Sequence, residues 1–389
     1  DTFNIMLGSV YAVLFDQPPG TARGGESFVP QPRLRITDRG FNTVITDSST
    51  AFTATMVGRP SGQVKNGTLS STIGANGFSA RATNGVATFI GLSIDVAGFP
   101  YALRFTADHS AFLTNGQPNF IEQVKMTVGV GKAVSINLIQ EPASVVAGEG
   151  FNESTRPTLE LLDAGGNRLV EDVTSKVSAS IFINPSSGLL DVINATACHA
   201  YDGSNSGTQV ICNQQPGCTW EQSLQTCEGF RLTVPVYQGV AQFNGLIIDK
   251  VGPLYQLQYI AIADPLLPNP YLWTGSVIGY SSSFDVVLGD PFELRIFQEA
   301  SEAWAGGTPF QNQPIVALVD GGGNVMVTDS TNTVTASIFV NPTNYPLLGV
   351  KTVVYDLGIA KFNNLAIEKQ NAAYGIRYTT SVDPTFVVE

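Results

Sequence analysis

The feature that most constrains this chain is a block of five spaced residues that occurs three times without a gap. Each copy holds a proline, an aspartate, an asparagine, a second aspartate and an apolar residue, always in that order. The copies are Pro32, Asp38, Asn42, Asp47 and Phe52; Pro157, Asp163, Asn167, Asp172 and Val177; and Pro314, Asp320, Asn324, Asp329 and Val334. A spacing that is kept three times predicts three repeats of one structural unit.

Each copy of this block is typical of a strand, a tight turn and a second strand. Apolar residues alternate before the turn, which predicts that one face of the first strand is buried. These residues are Leu34 and Ile36, Leu159 and Leu161, and Val316 and Leu318. Glycine and asparagine in the turns favour the positive φ angles of a chain reversal. We interpret the acidic residues as turn residues rather than calcium ligands, since the EF-hand spacing is absent.

A second block follows in each repeat and ends in a tyrosine. Its copies are Gly85, Phe89, Leu92, Ile94 and Tyr101; Gly239, Phe243, Leu246, Ile248 and Tyr255; and Gly358, Phe362, Leu365, Ile367 and Tyr374. Strict alternation after each tyrosine, as in Tyr101-Leu103-Phe105, predicts a half-buried strand. The arrangement resembles the tyrosine corner of immunoglobulin-like sandwiches, in which a buried ring bonds through its hydroxyl to the upstream backbone.

Together the two blocks resemble bacterial-immunoglobulin-like and filamin-like repeats over nearly the whole chain. The resemblance implies an all-β chain of three tandem immunoglobulin-like β-sandwich domains, each with two packed antiparallel sheets. The composition agrees, because 39 glycines and 22 prolines favour turns and only 13% of the residues are charged. We expect an N-terminal strand at 1–8, then domains at 9–126, 127–288 and 289–389.

Charge and residue usage argue against several classes of function. The net charge of −12 and the scattered 20 lysines and arginines exclude an extended phosphate-binding surface, so no nucleic-acid partner is expected. No apolar run is long enough to span a membrane. The histidines, His109 and His199, lie outside any motif that pairs a nucleophile with a base. We therefore expect a non-enzymatic protein with no cofactor and no metal.

All four cysteines lie in an insertion of the second repeat, at about residues 184–233. They are Cys198, Cys212, Cys218 and Cys227. An even number in a short polar stretch predicts a local disulfide knot, because the spacing lacks the paired C-x₂-C ligands of a zinc site. The three possible pairings remain open. Disulfides indicate an oxidising compartment, so a secreted, extracellular or cell-surface location is expected.

Three N-glycosylation sequons begin at Asn66, Asn152 and Asn194. Each falls in a predicted loop between recurring strands, where a glycan would not disturb a core. We therefore predict covalent glycans on this chain.

A short apolar segment that begins with phenylalanine recurs where the last strand of a sandwich is expected. It starts at Phe120 and at Phe284, and it returns before the first domain and at the end of the sequence. Either the chain is a segment of a longer array, or the N-terminal strand of one molecule completes the third sandwich of the next. The second case makes a head-to-tail homopolymer. Its assembly residues would be Phe3, Ile5, Leu7, Phe386 and Val388.

The segment between the second and third repeats is apolar and rich in proline. Its large side chains are Leu266, Leu267, Tyr271 and Trp273. Either it packs between its own two domains and fixes their angle, or it is an exposed patch for a neighbouring subunit.

These patterns favour a structural subunit of an extracellular, glycosylated filament that assembles with copies of itself. Long acidic arrays of this kind also resemble subunits of extracellular appendages such as flagellar hairs. The alternative is a cell-surface adhesin or glycan-binding stalk that binds its ligand through the cysteine-containing loop of the second repeat.

Overall fold

The computed structural model describes residues 2–62, 65–193, 232–263 and 273–389, together with the backbone of two strands at 218–221 and 226–229. Nearly all regular structure in these ranges is β-strand, which confirms the predicted all-β class. Each repeat forms facing sheets around its own core, as in immunoglobulin-like sandwiches.

The first domain contains the strands of both repeated blocks, arranged in two main sheets. Its strands are β1 (Ala12–Gln17), β2 (Ala22–Arg23), β3 (Arg33–Thr37), β4 (Ala51–Gly58), β5 (Leu69–Ser71), β6 (Ser79–Arg81), β7 (Val86–Thr88), β8 (Leu92–Ile94), β9 (Gly98–Ala107) and β10 (Phe120–Gly129). One sheet has the order β1-β3-β7, the other β2-β10-β9-β4-β6, and β5 pairs with β8. A 3₁₀ helix spans Gly74–Phe78 and a short α-helix spans Ala111–Thr114. Strand β10 continues to Gly129, beyond the boundary expected at Met126.

The second domain repeats this order with additional strands. Its described strands are β11 (Ser135–Gln140), β12 (Val145–Val146), β13 (Thr158–Leu162), β14 (Lys176–Ile183), β15 (Leu190–Val192), β16 (Cys218–Glu221), β17 (Thr226–Gly229), β18 (Thr233–Pro235), β19 (Val240–Gln242), β20 (Leu246–Ile248), β21 (Gly252–Ile262), β22 (Ser276–Tyr280) and β23 (Phe284–Val287). The sheets are β11-β13-β19 and β12-β23-β21-β14-β18, with β22 also on β21. Here the final strand is divided into β22 and β23.

The third domain keeps the framework but has fewer of the flanking strands. They are β24 (Pro291–Gln298), β25 (Ile315–Asp320), β26 (Thr333–Val340), β27 (Thr352–Val354), β28 (Ile359–Lys361), β29 (Gly375–Thr380) and β30 (Val387–Val388). One sheet has the order β24-β25-β28 and the other β27-β26-β29-β30.

Among the described residues, three hydrophobic clusters form, one in each repeat. The alternating residues of the first block, from Leu34 to Leu318, are all fully buried in them. Tyr101, Tyr255 and the phenylalanines of the second block fill the same cores, as in the contact between Phe89 and Phe105. The period-2 pattern of the sequence therefore located the buried faces correctly.

The turn of the first block is held together by its aspartate. Asp38 accepts hydrogen bonds at 2.9 Å from the backbone N–H groups of Gly40 and Asn42. Asp163 and Asp320 accept the same pair of bonds, from residues two and four positions later. The Asn side chain also donates to the carboxylate in each copy. These contacts confirm the turn interpretation.

The second aspartate of the block closes the next turn in the same way. Asp47 accepts hydrogen bonds from the backbone N–H groups of Ser49 at 2.8 Å and Thr50 at 3.0 Å. Asp172 and Asp329 accept from the residues two and three positions later. All the repeated aspartates thus hold turns, which explains their fixed spacing.

All three predicted tyrosine corners are present. In each repeat the tyrosine hydroxyl donates to the backbone carbonyl five residues upstream, at a distance of 2.8 Å. The pairs are Tyr101 and Val96, Tyr255 and Lys250, and Tyr374 and Lys369. Burial raises the pKa of the Tyr101 and Tyr255 hydroxyls, because desolvation disfavours the tyrosinate.

Candidate assembly site

The second half of the final strand joins two other strands in the first domain. In β10, Met126 lies opposite Tyr101 and Val128 lies opposite Gly98 of β9. On its other edge, Val128 pairs with Ala22 of the parallel strand β2. This half-strand therefore lies beside the tyrosine and joins β2 to β9 within one sheet.

Strand β23 has the same role in the second domain. Phe284 lies opposite Tyr255 and Val286 opposite Gly252, while Val286 pairs on its other side with Val145 of β12. The ring of Phe284 stacks on Tyr255 with centroids 6.3 Å apart. It also meets the ring of Phe151 edge-on at 5.6 Å. The Phe284 ring thus fills the space between the rings of Tyr255 and Phe151.

The third domain differs at this place. Strand β30 pairs with β29 opposite Tyr378 and Thr379, which matches only the first half of the final strand of the other domains. Within the described ranges, no residue lies opposite Tyr374, the counterpart of Tyr101 and Tyr255. Strand β29 starts at Gly375, one residue after its tyrosine, whereas β9 and β21 start three residues before theirs.

Exposure of the third domain confirms that its sandwich is open here. Tyr374 and Ile376 are only half-buried, although the corresponding residues of the other two domains are fully buried. Ala303 is exposed, whereas its counterparts Ala22 and Val145 are buried in β2 and β12. Among the described residues, no strand pairs with the backbone at Ala303 or at Tyr374.

A groove of about 620 Å³ occupies the position of this half-strand. Its apolar lining comes from Ala303 on one side and from Tyr374 and Ile376 on the other. Phe310 also lines it, and its backbone N–H binds the Leu365 carbonyl as that of Phe151 binds Leu246. Phe310 and Tyr374 are therefore the counterparts of the two rings that enclose Phe284.

The N-terminal segment at 2–8 carries the missing type of half-strand. It forms no strand in the chain itself, and Phe3 and Ile5 are 83% and 88% exposed. Gly8 fixes its register, because its N–H donates to Asp38 at 3.0 Å just as Gly131 donates to Asp163 and Gly289 to Asp320.

Counting back from these glycines aligns the segments. Five residues before Gly8, Gly131 and Gly289 stand Phe3, Met126 and Phe284 respectively, and Ile5 takes the place of Val128 and Val286. The hydrogen bond from Gly8 is the largest cause of a lowered pKa at Asp38, since it stabilises the carboxylate.

This register shows that the recurring phenylalanines hold different places in their strands. Phe120 lies opposite Thr106, five pairs away from the position of Phe284, so the two phenylalanines are not equivalent. Phe386 packs against the core of its own domain, and Val388 pairs with Tyr378. The sequence misled because β10 carries a bulge, with Lys125 at a φ of +56°, and β22 and β23 are separated.

The burial of Trp273 argues against the exposed-patch alternative for this residue. Its side chain is buried in the core of the second domain, and its indole N–H has no hydrogen-bond partner among the described residues. It therefore cannot form an exposed patch. Leu266, Leu267 and Tyr271 lie outside the described residues.

The cysteine and glycosylation predictions fall on less fully described parts of the chain. Cys198, Cys212 and Asn194 lie outside the described residues, and only the backbone is described at Cys218 and Cys227, which belong to the paired strands β16 and β17. Asn66 is exposed next to β5, and the hydroxyl of Thr68 in its sequon donates to Asp95 at 2.8 Å. Asn152 is exposed in a turn that its own side chain closes by accepting from Ser154.

Comparison with solved structures finds matches at low sequence identity and low TM-score. The structure is similar to FdeC, an Escherichia coli adhesin, with 15% identity, a TM-score of 0.26 and coverage of 97% of this chain and 94% of that one. It is similar to the chicken CNTN1 FN1–FN3 domains, with 10% identity, a TM-score of 0.27 and 96% and 92% coverage. The human desmocollin-1 ectodomain gives 9% identity, a TM-score of 0.29 and 95% and 58% coverage.

At these TM-scores the chains do not superpose as wholes, so the immunoglobulin-like class rests on the strand order within each domain. No family model matches the sequence, and the search of curated proteins returns no match. None of the helices in the described ranges has the length and apolar character needed to cross a membrane.

The sequence did not identify the acceptor side of this site. Tyr374 stood out only as a corner tyrosine, and neither Phe310 nor Ala303 belongs to a recurring block. The anchor glycines Gly8, Gly131 and Gly289, each following an alternating apolar segment, are the signal that would have found the register.

Proposed function

We propose that the chain is a non-enzymatic, glycosylated structural subunit of an extracellular filament, and that its subunits join head to tail by strand addition. The N-terminal segment at 2–8 of one copy enters the groove of the third domain of the next. The observation that carries this proposal is the common register of Phe3 and Phe284, fixed by the bonds from Gly8 and Gly289 to their aspartates.

The groove and the segment match side chain by side chain. In this register Phe3 enters between Tyr374 and Phe310, as Phe284 lies between Tyr255 and Phe151. Ile5 then packs where Val286 packs in the second domain, and that valine is fully buried. Full burial of each such side chain contributes about 1.5–3 kcal/mol. The added strand also pairs with backbone groups on both edges of the groove.

Strand addition of this kind propagates. The donor segment belongs to the first domain and the groove to the third, so each bound copy presents a free end of each type. Such a contact is heterologous and forms a fibre unless its rotation closes a ring. It also covers an open sheet edge, which otherwise pairs without control. The exposed sequons at Asn66 and Asn152 and the cysteine-rich insertion support a location outside the cell.

A peptide experiment tests strand addition directly. The full chain is expected to polymerise as its concentration rises, whereas a chain that lacks residues 1–8 stays monomeric because it has a groove but no donor. A synthetic peptide of residues 1–8 should bind this truncated chain, as measured by fluorescence anisotropy. Filaments of normal length from the truncated chain would sink the proposal.

Adjacent substitutions supply the matched control. Ile5→Asp places a charge on the inward face and should abolish binding of the peptide, because an unpaired buried charge is costly. Met6→Asp makes the same change on the outward face, where the counterpart Val287 is half-exposed, and should bind normally. Equal effects of the two substitutions would contradict the register. A full chain that remains monomeric and instead binds a glycan-coated surface would favour the adhesin alternative.

A further inference from the structure

Each of the two junctions between domains is closed by an asparagine, and the two asparagines hold the same position in their repeats. At the first junction, Asn167 donates to the Asp95 carbonyl at 2.7 Å and accepts from the Ala97 N–H at 2.9 Å. At the second, Asn324 donates to the Asp249 carbonyl at 2.7 Å and accepts from the Val251 N–H at 3.1 Å. At each junction the asparagine thus holds, by two hydrogen bonds, the loop that begins the tyrosine corner of the preceding domain. We call this contact the clasp.

A lysine of the preceding domain completes each clasp. Lys65 donates to the Gly165 carbonyl at 3.3 Å, and Lys250 donates to the Gly322 carbonyl at 3.1 Å. Both glycines are required by the close approach, because a Cβ on Gly165 or Gly322 would overlap the carbonyl oxygen of the aspartate in the preceding domain. Charge-assisted bonds of this type are stronger than neutral ones.

The chain repeats both halves of the clasp at its two far ends. The turn of the first domain has Asn42 and Gly40 at the positions of Asn167 and Gly165, and both residues are exposed. In the described residues, the only partner of the Asn42 side chain is Asp38 of the same turn. A Cβ on Gly40 would meet only its own turn, so no contact within the chain requires a glycine there.

The other half lies beside the groove of the third domain. By their distance from the corner tyrosine, Glu368, Lys369 and Gln370 correspond to Asp249, Lys250 and Val251. Lys369 is partly exposed; it pairs with Glu368 and lies over the Tyr345 ring at 4.5 Å. Nothing of a following domain reaches this loop in the described part of the chain.

We infer that the turn at 38–42 is a second docking surface, which clasps residues 368–370 of another copy of this chain. Asn42 donates to the Glu368 carbonyl and accepts from the Gln370 N–H, and Lys369 donates to the Gly40 carbonyl. This inference rests on the proposed strand addition, and it assigns the contact that fixes the angle between successive subunits. Every junction along the filament, within and between chains, is then closed by one type of clasp.

Phe41 gives independent support from the backbone. It has a φ of +63°, a conformation that is costly for a bulky residue, and its counterparts Gly166 and Gly323 are glycines with similar φ angles. Its ring is 58% exposed, so packing within the chain does not offset this cost. A Cβ on Gly166 would lie 3.5 Å from the ammonium of Lys65. The same geometry places the Phe41 ring beside Lys369 of the neighbour, where a cation–π contact forms.

The Glu368 carbonyl, which is the proposed acceptor, already accepts a hydrogen bond within the chain, and this bond changes on docking. The Gly306 N–H donates to the Glu368 carbonyl at 2.8 Å, whereas the matching glycines, Gly25 and Gly148, donate to Ile94 and Ile248, one residue earlier. A strand in the groove draws the neighbouring segment into the position of β12, and Gly306 then moves to the earlier carbonyl. The Glu368 oxygen becomes available to Asn42, as the Asp249 oxygen is to Asn324.

The substitution Phe41→Gly tests this docking surface. In a turn at positive φ, glycine relieves strain, so the isolated chain is expected to unfold at an equal or higher urea concentration. Assembly is nevertheless expected to weaken, with a critical concentration about tenfold higher in sedimentation assays, because the contact with Lys369 is lost. Leu357→Gly is the matched control, since Leu357 is exposed at a φ of +49° and lies outside the clasp. It should leave assembly unchanged.

The variants Asn42→Ala and Lys369→Ala test the two sides of the clasp separately. Each is expected to raise the critical concentration on the order of tenfold, and the double variant should cost less than the two single effects combined, because Asn42 and Lys369 act in one contact. Binding of the peptide of residues 1–8 to the truncated chain carrying Asn42→Ala should remain unchanged, since Asn42 lies in the first domain and does not line the groove of the third. Normal assembly of Phe41→Gly and Lys369→Ala chains, with intact peptide binding, would overturn the clasp and leave strand addition standing. Loss of peptide binding to the unsubstituted groove would instead overturn strand addition and the clasp together.

Discussion

The backbone N–H of Gly8 donates a hydrogen bond to the carboxylate of Asp38 at 3.0 Å, across 30 positions of sequence. The same bond precedes the second and third domains, where Gly131 and Gly289 donate to Asp163 and Asp320. The second and third domains therefore each begin on a fixed glycine shortly after the final half-strand of the preceding sandwich, and Gly8 holds the equivalent position in the first domain. The segment before Gly8 lies exposed, and among the described residues none lies opposite Tyr374 of the third domain.

The bond between Gly8 and Asp38 should be lost in acid. The pKa of Asp38 is lowered, first by the Gly8 N–H and then, against the effect of desolvation, by Asn42 and Gly40. A carboxylate with a lowered pKa stabilises the folded turn above the ordinary aspartate pKa of about 3.9, and this stabilisation disappears as the pH falls through the lower folded value. The protection factor of the Gly8 amide, measured by NMR hydrogen exchange, should therefore decrease as the pH falls below the ordinary aspartate pKa of about 3.9. Asp38→Ala removes the acceptor and should leave the Gly8 amide unprotected at every pH, and a protected amide in that variant would contradict the assignment.

Phe284→Ala and Phe3→Ala should differ sharply despite their shared register. Phe284 is buried between Tyr255 and Phe151, so its truncation should lower the free energy of unfolding of the second domain by about 3–5 kcal/mol. Phe3 is exposed in the isolated chain, so its truncation should leave urea unfolding of the monomer unchanged and weaken only assembly. Equal stability losses would show that Phe3 already packs within its own molecule.

Removing a corner hydroxyl should destabilise its sandwich. Tyr101→Phe leaves the Val96 carbonyl without the 2.8 Å bond in a buried site, and the expected loss in the free energy of unfolding is about 1–3 kcal/mol. Tyr237→Phe serves as the control, because Tyr237 is 44% exposed and outside any corner. Urea denaturation of both variants measures the difference, and a Tyr101→Phe chain as stable as the control would contradict a structural role for the corner.

Alkaline pH should destabilise the third domain through Tyr355. Burial raises the pKa of this hydroxyl to about 12, although its bond with Thr380 acts in the opposite direction. The folded domain then keeps a proton that the unfolded chain loses near pH 10, so stability is complete below pH 10 and falls as the pH rises towards 12. Tyrosinate absorbance during a pH titration should show a group that ionises above the exposed tyrosines, and Tyr355→Phe should remove part of that late phase. A titration unaltered by the substitution would argue against this origin.

Local signals in the sequence determined the repeat architecture. Alternation at Leu34 and Ile36 located a buried strand, since a strand's side chains alternate between its faces whatever surrounds it. Asp163 and Asn167 identified a turn, because their bonds join residues two to four positions apart. The corner at Tyr101 was recognisable for the same reason, as its hydroxyl reaches only five residues upstream.

Only the tertiary structure decided which residues lie opposite one another over long distances. The phenylalanines at 120 and 284 look alike in sequence, yet the bulge at Lys125 and the break between β22 and β23 place them opposite different residues, Thr106 and Tyr255. Trp273 read as an exposed or interdomain residue, and only the packing of the second domain shows that it is buried. The open groove beside Tyr374 was likewise invisible, because it depends on a pairing between residues far apart in the chain. Sequence patterns record a residue's near neighbours, whereas register and burial are set by contacts that form only when the sandwich closes.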